Sequence, residues 1–360
     1  MPTFNIIKQS EFKETFRNLS IKSIFDLNIE NIKETFTGNI DIENKDWNIG
    51  VIFGASGTGK STIAKELFKD CVIDFLYGKE SVIDEMPKNK TLEEITKTFN
   101  SVGFATVWSF LKPYSVLSQG EKMRVDLSRC ILEDREIIVF DEYTSVINRE
   151  VAKFGSYALS KAIRKRNKKF IAVSCHDDIL EWLEPDWIFD TNKMEFRYIR
   201  GQLRRPDIKL DIYECNRDWW KYFSKYHYLN HSLNTSAKTF LGVWENRPIA
   251  FISVLHFPHP KAKNIKKVHR LVVLPDFQGL GIGAKFMSEI AKLYLKENYR
   301  FRITTSNASL LALKNIKGWR LDKILRNRPP GKTSSEKALH KTNSALKYTF
   351  NFEYLGTNLN

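Results

Sequence analysis

The eight residues Gly54–Ser61 limit the fold of this chain more than any other segment, because they have the pattern G-x-x-x-x-G-K-S. An apolar run at 47–53 with the character of a buried strand precedes them, and a helical pattern continues to Phe68. Glycines let backbone N–H groups approach a phosphate, while a lysine and a serine hydroxyl at a helix start suit its charge and its magnesium ion. In this setting the pattern predicts an α/β unit that binds ATP and Mg²⁺. The predicted ligands are Gly54, Ser56, Gly57, Gly59, Lys60, Ser61 and Thr62.

Two carboxylates, Asp141 and Glu142, end a second apolar run at 137–140. Such a pair alone would more often mark the surface end of a strand. Together with the phosphate loop, it predicts a magnesium ligand (Asp141, with Ser61) and a base that activates water (Glu142). A third apolar run, 171–175, leads to His176, and Leu117-Ser118-Gln119-Gly120-Glu121 opens a helical pattern that extends to about Leu132.

The order of these four motifs resembles that of ABC-type ATPases over nearly the whole N-terminal half. The resemblance implies a homodimer in which two nucleotide domains meet head to tail. Ser118 and Gly120 of one protomer then cap the γ-phosphate held by Lys60 of the other, and His176 senses that phosphate. Phe36 has two open interpretations: it stacks on adenine, or it belongs to the core of a strand.

Two departures from the ABC pattern bear on function. No glutamine occurs between Ser61 and Gln119, and only 55 residues separate Ser61 from Leu117, which leaves room for a small helical subdomain. ABC proteins usually have an aspartate a few residues after the Asp-Glu pair, and Asn148 occupies that position here. In transporters the reduced regions receive membrane subunits, and no apolar run here is long enough to span a bilayer. The chain therefore resembles SMC-type and other non-transport ABC proteins, without membrane subunits.

A second glycine-rich turn, Gln278-Gly279-Leu280-Gly281-Ile282-Gly283, follows a β-rich run at 267–273 and precedes a helical pattern from Ala284 to about Lys296. It resembles the central motif of GNAT acyltransferases, (R/Q)-x-x-G-x-(G/A). The resemblance to this family as a whole covers about residues 209–352. The resemblance implies that backbone amides of residues 279–284, Gly279 and Ala284 included, hold the pyrophosphate of acyl-CoA, with acetyl-CoA as the expected donor. It also implies that a backbone N–H near Val272 stabilises the oxyanion of the thioester.

Charge is distributed unevenly between the two halves. Residues 201–360 contain 28 Lys and Arg against 11 Asp and Glu, a net charge of +17, whereas residues 1–200 have a net charge of −2. This excess predicts a nucleic-acid partner for the second half. The alternative is that the charge serves solubility and attracts an anionic coenzyme.

The binding site of the acyl acceptor is predicted from the aromatic segment 219–229, in which lysines are interspersed among aromatic residues. Such a segment can stack an unpaired base, although Trp219 and Phe223 also fit the core face of an amphipathic helix. His227 or Tyr228 is predicted to orient or deprotonate an amine, and His256 on a following loop is a further candidate. The Y-H-Y-L segment and the F-P-H-P loop resemble a GNAT branch related to phage Mom DNA-modification proteins.

The sequence thus predicts a mixed α/β chain with three parts: an ABC-type ATPase domain at 1–199, a basic linker at 200–208 and a GNAT domain at 209–360. The start lacks a secretory signal, and four widely spaced cysteines fit reduced thiols in the cytoplasm. The predicted function is ATP-gated acyl transfer to an amine of a nucleic-acid base. Acetylation of protein or aminoacyl-tRNA, and a non-catalytic GNAT module on a DNA clamp, are the alternatives.

Overall fold

The computed structural model describes residues 3–9, 13–27, 33–227, 232–259, 262–306, 308–326 and 348–356. Its helices in chain order are α1 (Phe16–Ile24), α2 (Lys60–Leu67), α3 (Leu92–Ser101), α4 (Val107–Phe110), α5 (Gln119–Leu132), α6 (Arg149–Arg166), α7 (Ile179–Leu183), α8 (Trp220–Phe223) and α9 (Ile282–Lys296). Its strands are β1 (Thr3–Gln9), β2 (Lys33–Asn39), β3 (Ile49–Phe53), β4 (Ile137–Phe140), β5 (Lys169–Ser174), β6 (Trp187–Asp190), β7 (Glu195–Tyr198), β8 (Asp211–Cys215), β9 (Lys238–Trp244), β10 (Arg247–His256), β11 (Ile265–Val273), β12 (Arg300–Thr305), β13 (Trp319–Arg326) and β14 (Tyr348–Tyr354).

The chain packs into two compact units, each made of two separate stretches of sequence. The first unit contains Met1–Leu76 and Glu133–Arg205, and the second contains Tyr77–Leu132 and Pro206–Asn360. The helical segment 77–132, which the sequence assigns to the ATPase half, therefore packs with the C-terminal half. The boundary between Arg205 and Pro206 falls inside the predicted linker 200–208, and the domain limits inferred from the motifs stay a prediction.

The first unit is built on a five-stranded sheet in the order β4-β5-β3-β6-β7. The first four of these strands run parallel, and β7 pairs antiparallel at one edge. β3 and β5 are apolar and buried on both faces, as expected for a parallel sheet that is covered on both sides. Because the parallel strands end at one edge, that edge receives the phosphate loop, Asp141 and His176.

A two-stranded antiparallel sheet, β1-β2, adds its aromatic side chains to the core of the first unit. The Phe4 ring meets Phe189 edge to face at a centroid distance of 5.8 Å. Trp187 of β6 occupies the space beside Gly50 of β3, where a Cβ would come within 2.1 Å of the indole. Only glycine fits this position, so β3 can carry the phosphate loop directly above a closely packed core.

The second unit contains a seven-stranded sheet in the order β13-β14-β12-β11-β10-β9-β8. Its strand pairs are antiparallel except for β11 and β12, which pair in parallel only through Ile265–Lys267 and Arg300–Arg302. Beyond Lys267, β11 continues to Val273 paired with β10 alone among the described strands. The sheet is therefore open along one side of β11, next to the start of α9.

The helical segment 77–132 has its own small aromatic core. Phe99, Phe104 and Phe110 have ring centroids 5.0–5.3 Å apart, and α3 begins with a capping box between Thr91 and Glu94. Asp126 of α5 accepts hydrogen bonds of 2.8 Å from the hydroxyls of Tyr77 and Tyr114. Burial raises the pKa of the Asp126 carboxyl to about 6. These contacts fix α5 to the rest of the segment.

Most predicted elements are present, with one clear exception. An amphipathic helix was one of two interpretations of the aromatic segment 219–229. The structure instead has a 3₁₀ turn at Arg217–Trp219, the single turn of α8 and a second 3₁₀ turn at Ser224–Tyr226. Tyr228 and Leu229 lie outside the described residues. Within the described ranges, no helix has both the length and the apolar character needed to cross a bilayer.

Candidate active sites

The phosphate loop connects the carboxyl end of β3 to the first turn of α2, as the sequence predicts. Gly57 and Gly59 have φ angles of 84° and 85°, which non-glycine residues rarely adopt. Lys60 Nζ donates a 2.6 Å hydrogen bond to the carbonyl of Ala55, so the side chain folds back over the loop. Ser56 is exposed on the loop, and Thr62 is half-buried in the first turn of α2. The free N–H groups of this turn suit an anion.

The predicted magnesium ligands lie side by side. Ser61 Oγ donates a 2.8 Å hydrogen bond to Asp141 Oδ1, which joins the start of α2 to the end of β4. The backbone N–H of Glu142 donates to the same oxygen at 3.0 Å. A hydroxyl and a carboxylate beside a phosphate loop are the hard oxygen ligands that Mg²⁺ prefers, so these residues fit the ion.

Glu142 and His176 follow neighbouring strands at the same edge of the sheet. Glu142 is exposed and has a φ of 51°, an unusual value for a non-glycine residue. His176 is half-buried, and its backbone N–H donates to Ser174 Oγ at 3.1 Å. Both residues lie in turns that follow β4 and β5, at the edge of the sheet where the phosphate loop also begins.

Asp74 is an acidic residue at this edge that the sequence patterns did not indicate. Val72 forms a parallel bridge to Val139, and the N–H of Ile73 donates to the carbonyl of Val139 at 3.0 Å. Asp74 follows Val72 by two residues, as Asp141 follows Val139, so the two carboxylates leave adjoining extended segments at the same level. The only sequence signal was the apolar pair before Asp74, which is too short to predict a strand.

The structure does not support the adenine-stacking interpretation of Phe36 and agrees with the strand-core one. Its side chain is 8 % exposed and belongs to the core of the first unit. The ring lies under the phosphate loop, where a Cβ on Gly59 would come within 2.6 Å of it. Since the ring is covered, the strand-core interpretation accounts for Phe36, and Gly59 is glycine partly because the ring leaves no space.

Ser118 and Gly120 lie at the start of α5 in the second unit. Glu121 Oε2 accepts hydrogen bonds of 3.0 Å from both the backbone N–H and the hydroxyl of Ser118, and its other oxygen accepts one from Ser109. Burial alone would raise the pKa of Glu121, but the hydrogen bonds from Ser109 and Ser118 lower it. The carboxylate therefore holds the Ser118 hydroxyl in place at the exposed tip of the helix.

The second glycine-rich turn has the geometry of an anion site. It follows a 3₁₀ turn at Pro275–Phe277, and Gly279 and Gly281 have φ angles of 82° and 86°. Gly281 is the N-cap of α9 and contributes no side-chain cap, so the first N–H groups of this helix face the turn. Gln278 Nε2 donates to the carbonyl of Val273 at 2.8 Å and holds the turn against β11.

The remaining predicted coenzyme residues surround this turn. A Cβ on Gly283 would lie 3.3 Å from Val273 Cγ2, so α9 packs closely against β11 at that point. Ala284 is half-buried in the first turn of α9. Val272 is buried and lies in the part of β11 that pairs only with β10 among the described strands. The open side of β11 and the start of α9 thus adjoin each other, as a thioester and its pyrophosphate require.

The predicted acceptor residues separate into buried and exposed sets. His227 is 7 % exposed, and its ring meets Trp220 edge to face at 5.5 Å. Phe223 is core as expected, but the core prediction for Trp219 is wrong, because Trp219 is 42 % exposed. His256 is exposed at the end of β10, and Tyr228 lies outside the described residues.

His269 is a candidate that sequence reasoning missed. The pairing of β10 and β11 shifts by one residue between Ser253 and Val254, which makes His269 the extra residue of a β-bulge. Its Nε2 accepts a hydrogen bond from the backbone N–H of Asn234 at 3.4 Å. Burial, and then the charge of Arg270, lower the pKa of His269 and favour the neutral imidazole. A bulge is defined by the register against a partner strand, so the local sequence around His269 could not predict it.

Residues 177–314, which contain β11, the turn and α9, match the model of the Acetyltransferase (GNAT) family. The C-terminal half contains a GNAT domain. This agreement covers the coenzyme motif and the open side of β11, and leaves the acceptor undetermined. The narrower likeness to Mom-type proteins is not part of this match.

The N-terminal part of the chain is similar to ABC ATPases. It is 34 % identical over 95 residues to the ABC-type transporter MDR1 of Aureobasidium melanogenum, a match that covers 24 % of this chain and 7 % of the transporter. It is 22 % identical over 200 residues to the probable peptide export ATP-binding protein YydI of Bacillus subtilis (strain 168), covering 50 % of this chain and 93 % of that protein. A dimeric ATP-binding cassette solved in a post-hydrolysis state with ADP and Pi is 14 % identical with a TM-score of 0.40, covering 55 % of this chain and 98 % of that one.

The mixed α/β fold is thus an ABC ATPase core and a GNAT fold in one polypeptide, as the motif order indicated. The chain is built as an enzyme, from an ATPase domain and an acetyltransferase domain. Ser61 and Asp141 lie side by side in the first unit, and the second glycine-rich turn adjoins the start of α9 in the second.

Proposed function

We propose that this protein is an ATP-gated acyltransferase that works as a homodimer and transfers an acyl group, in the simplest case acetyl, from acyl-CoA to an amine of a nucleic-acid base. One observation carries the proposal. The unit that holds the coenzyme turn also exposes aromatic rings interleaved with lysines, on the half of the chain with a net charge of +17. A coenzyme site in the same unit as a surface that suits bases and phosphates favours a nucleic-acid acceptor.

The exposed aromatic surface consists of Trp219, Lys221, Tyr222 and Lys225. Trp219 and Tyr222 are 42 % and 44 % exposed, whereas their neighbours Trp220 and Phe223 are core. Lys225 Nζ lies 5.8 Å from the Tyr222 ring centroid, so a cation and a ring share one face. Rings of this kind stack on unpaired bases, and the lysines neutralise the adjoining phosphates.

The transfer itself needs a base and an oxyanion donor. The amine nitrogen attacks the thioester carbonyl carbon, the C–S bond breaks, and CoA leaves as the thiol after it takes up a proton. The amine proton passes to His227, Tyr228 or His269. Among these, His269 lies three residues before Val272 on the same strand, and burial lowers the pKa of its imidazole, which favours the neutral form that a base requires. A backbone N–H near Val272 stabilises the developing oxyanion.

The nucleotide site is completed by a second copy of the chain. Lys60, Ser61 and Asp141 hold ATP and Mg²⁺, Glu142 activates water and His176 contacts the γ-phosphate. Ser118 and Gly120 of the partner copy close the site, which makes the chain dimerise with ATP. Asp74 leaves its segment at the level of Asp141, and we assign it the role of the glutamine ligand that ABC proteins usually have and that this sequence lacks between Ser61 and Gln119. The exposed Ser118 hydroxyl, held by Glu121, supports this arrangement.

We place the protein in the cytoplasm. The deciding experiment is intact-mass analysis of nucleosides from DNA and RNA, compared between cells that express the protein and cells that lack it. A mass shift equal to one acyl group on a base that bears an exocyclic amine is expected. The shift should vanish in cells that express Gly281→Asp, a variant that blocks the coenzyme site. If the nucleosides are unmodified while protein or aminoacyl-tRNA is acylated, that molecule is the acceptor instead of a nucleic-acid base. If the protein does not bind acetyl-CoA, the GNAT domain is a non-catalytic binding module.

A further inference from the structure

An ion pair between a buried guanidinium and a half-exposed carboxylate links the helix that begins at the Ser118 motif to the coenzyme turn. Arg124 of α5 is 3 % exposed, and its Nη2 lies 3.3 Å from Asp276 Oδ1. Asp276 belongs to the 3₁₀ turn Pro275–Phe277, which leads directly into Gln278. Both residues belong to the second unit, and 152 positions of sequence separate them.

A second contact joins the same two regions through backbone atoms. Gly103, in the loop after α3, has a φ of 86°, and a Cβ there would come within 2.8 Å of the Gln278 carbonyl oxygen. The same Cβ would lie 3.5 Å from Arg124 Nε. Gln278 is therefore held on one side by the helical segment and on the other by its own hydrogen bond to Val273.

This arrangement leaves little freedom for independent movement. A guanidinium that is removed from water is strongly destabilising unless a carboxylate remains in contact with it, so Arg124 and Asp276 stay paired when either element shifts. Arg124 lies five residues into α5, about 7.5 Å along a rigid helix from Gln119. Close-packed contacts transmit a displacement of the helix start instead of absorbing it.

We propose that Arg124 and Asp276 are positioning residues that tie the coenzyme turn to the helix of the Ser118 motif, so that nucleotide engagement by Ser118 and Gly120 changes the affinity for acyl-CoA. The inference rests on the proposed function, in which those residues contact the partner's ATP. It extends that function, because it names the contact through which ATP gates acyl transfer. By linkage, acyl-CoA changes the affinity for ATP by the same factor.

The test measures the Kd of acetyl-CoA for the full-length protein by calorimetry, with and without Mg²⁺ and a non-hydrolysable ATP analogue. The wild-type ratio of the two Kd values should be about 5-fold or larger, as for typical coupled sites. Asp276→Asn keeps the size of a side chain that is 47 % exposed but removes its charge, and should bring the ratio to within about twofold of one. Asp276→Glu retains the charge and should restore the ratio.

Asp322→Asn is the matched control. Asp322 lies in the same unit, its side chain is 39 % exposed, and it is paired with Arg302 at 3.8 Å, away from the coenzyme turn. This variant should keep the wild-type ratio. A wild-type ratio of one, or an unchanged ratio in Asp276→Asn, would overturn the inference and leave acyl transfer standing. Wild-type protein that does not bind acetyl-CoA at all would remove the proposed function itself.

Discussion

Replacement of Gly281 by aspartate should nearly abolish binding of acetyl-CoA, whereas replacement by asparagine should not. Gly281 is exposed, has a φ of 86° and is the N-cap of α9. Asparagine and aspartate are the residues that best tolerate this left-handed region, so both variants keep the turn at a similar cost of roughly 1–2 kcal/mol in folding stability. The two variants differ in charge alone, which makes each the control of the other.

The magnitude follows from the position of the new carboxylate. A pyrophosphate held by the first N–H groups of α9 would lie about 4 Å from it, and two unit charges at that distance repel by about 4 kcal/mol in surroundings of effective dielectric constant 20. That energy corresponds to roughly a thousandfold weaker Kd. The carboxylate also interacts favourably with the helix start in the free protein by about 0.3–1 kcal/mol, which weakens binding further.

Calorimetric titration of acetyl-CoA into full-length protein measures this difference directly. ATP hydrolysis and thermal unfolding of both variants should stay close to each other, because the substitution lies in the second unit and the phosphate loop belongs to the first. Equal losses of affinity in the aspartate and asparagine variants would show that shape, and not charge, governs the turn. Wild-type affinity in Gly281→Asp would refute the coenzyme site.

Further expectations concern other residues. Glu142→Gln should lower ATP hydrolysis by about 10²–10⁴-fold and accumulate ATP-bound dimers in light scattering, and persistent monomer would contradict the split site. Asp74→Ala should slow hydrolysis at saturating ATP by about tenfold or more with little change in KM, unlike the exposed neighbour Leu76→Ala. Tyr222→Ala should weaken binding to single strands by about 1–3 kcal/mol at an unchanged salt slope, while Lys221→Met should reduce that slope by about 0.7 in filter binding, with Tyr213→Ala as the unaffected control. Burial raises the pKa of Asp126 from 3.8 to about 6, so its contribution to stability is present below the lower value and lost as pH rises through the higher one. The loss amounts to about 3 kcal/mol, and urea unfolding of Asp126→Asn against pH should lack it.

The sequence predicted those parts of the sites that depend on contiguous motifs. The residues Gly54–Ser61 and Gln278–Gly283 specify turns by their glycines, and the structure gives the two turns the backbone that the patterns require. Asp141 could be placed beside Ser61 because parallel strands end at a common edge of the sheet. In each case the signal is local, and the fold adds only a neighbour that the strand order already implies.

Contacts between distant segments could not be predicted in this way. Arg124 and Asp276 lie in regions whose local patterns carry no information about each other. His269 owes its position to a register shift against β10, and the ring of Phe36 is covered by the phosphate loop of another segment. The aromatic run at 219–229 has an ambiguous period, so its division into core and exposed rings appears only when β10 supplies Phe251 as a partner for Phe223 at 5.6 Å.

The second compact unit is made of two stretches of sequence that are far apart in the chain, and this has a consequence for folding during synthesis. Residues 77–132 leave the ribosome before the part of the chain against which they pack, which begins at Pro206. At elongation rates of about 5–20 residues per second, this segment waits roughly 4–15 s before Pro206, the first residue of the rest of its unit, is made. A nascent chain whose segment is incompletely packed for several seconds is expected to bind chaperones. It also means that cutting the gene near codon 200 would produce one polypeptide with an orphaned helical segment and another whose coenzyme turn has lost its support.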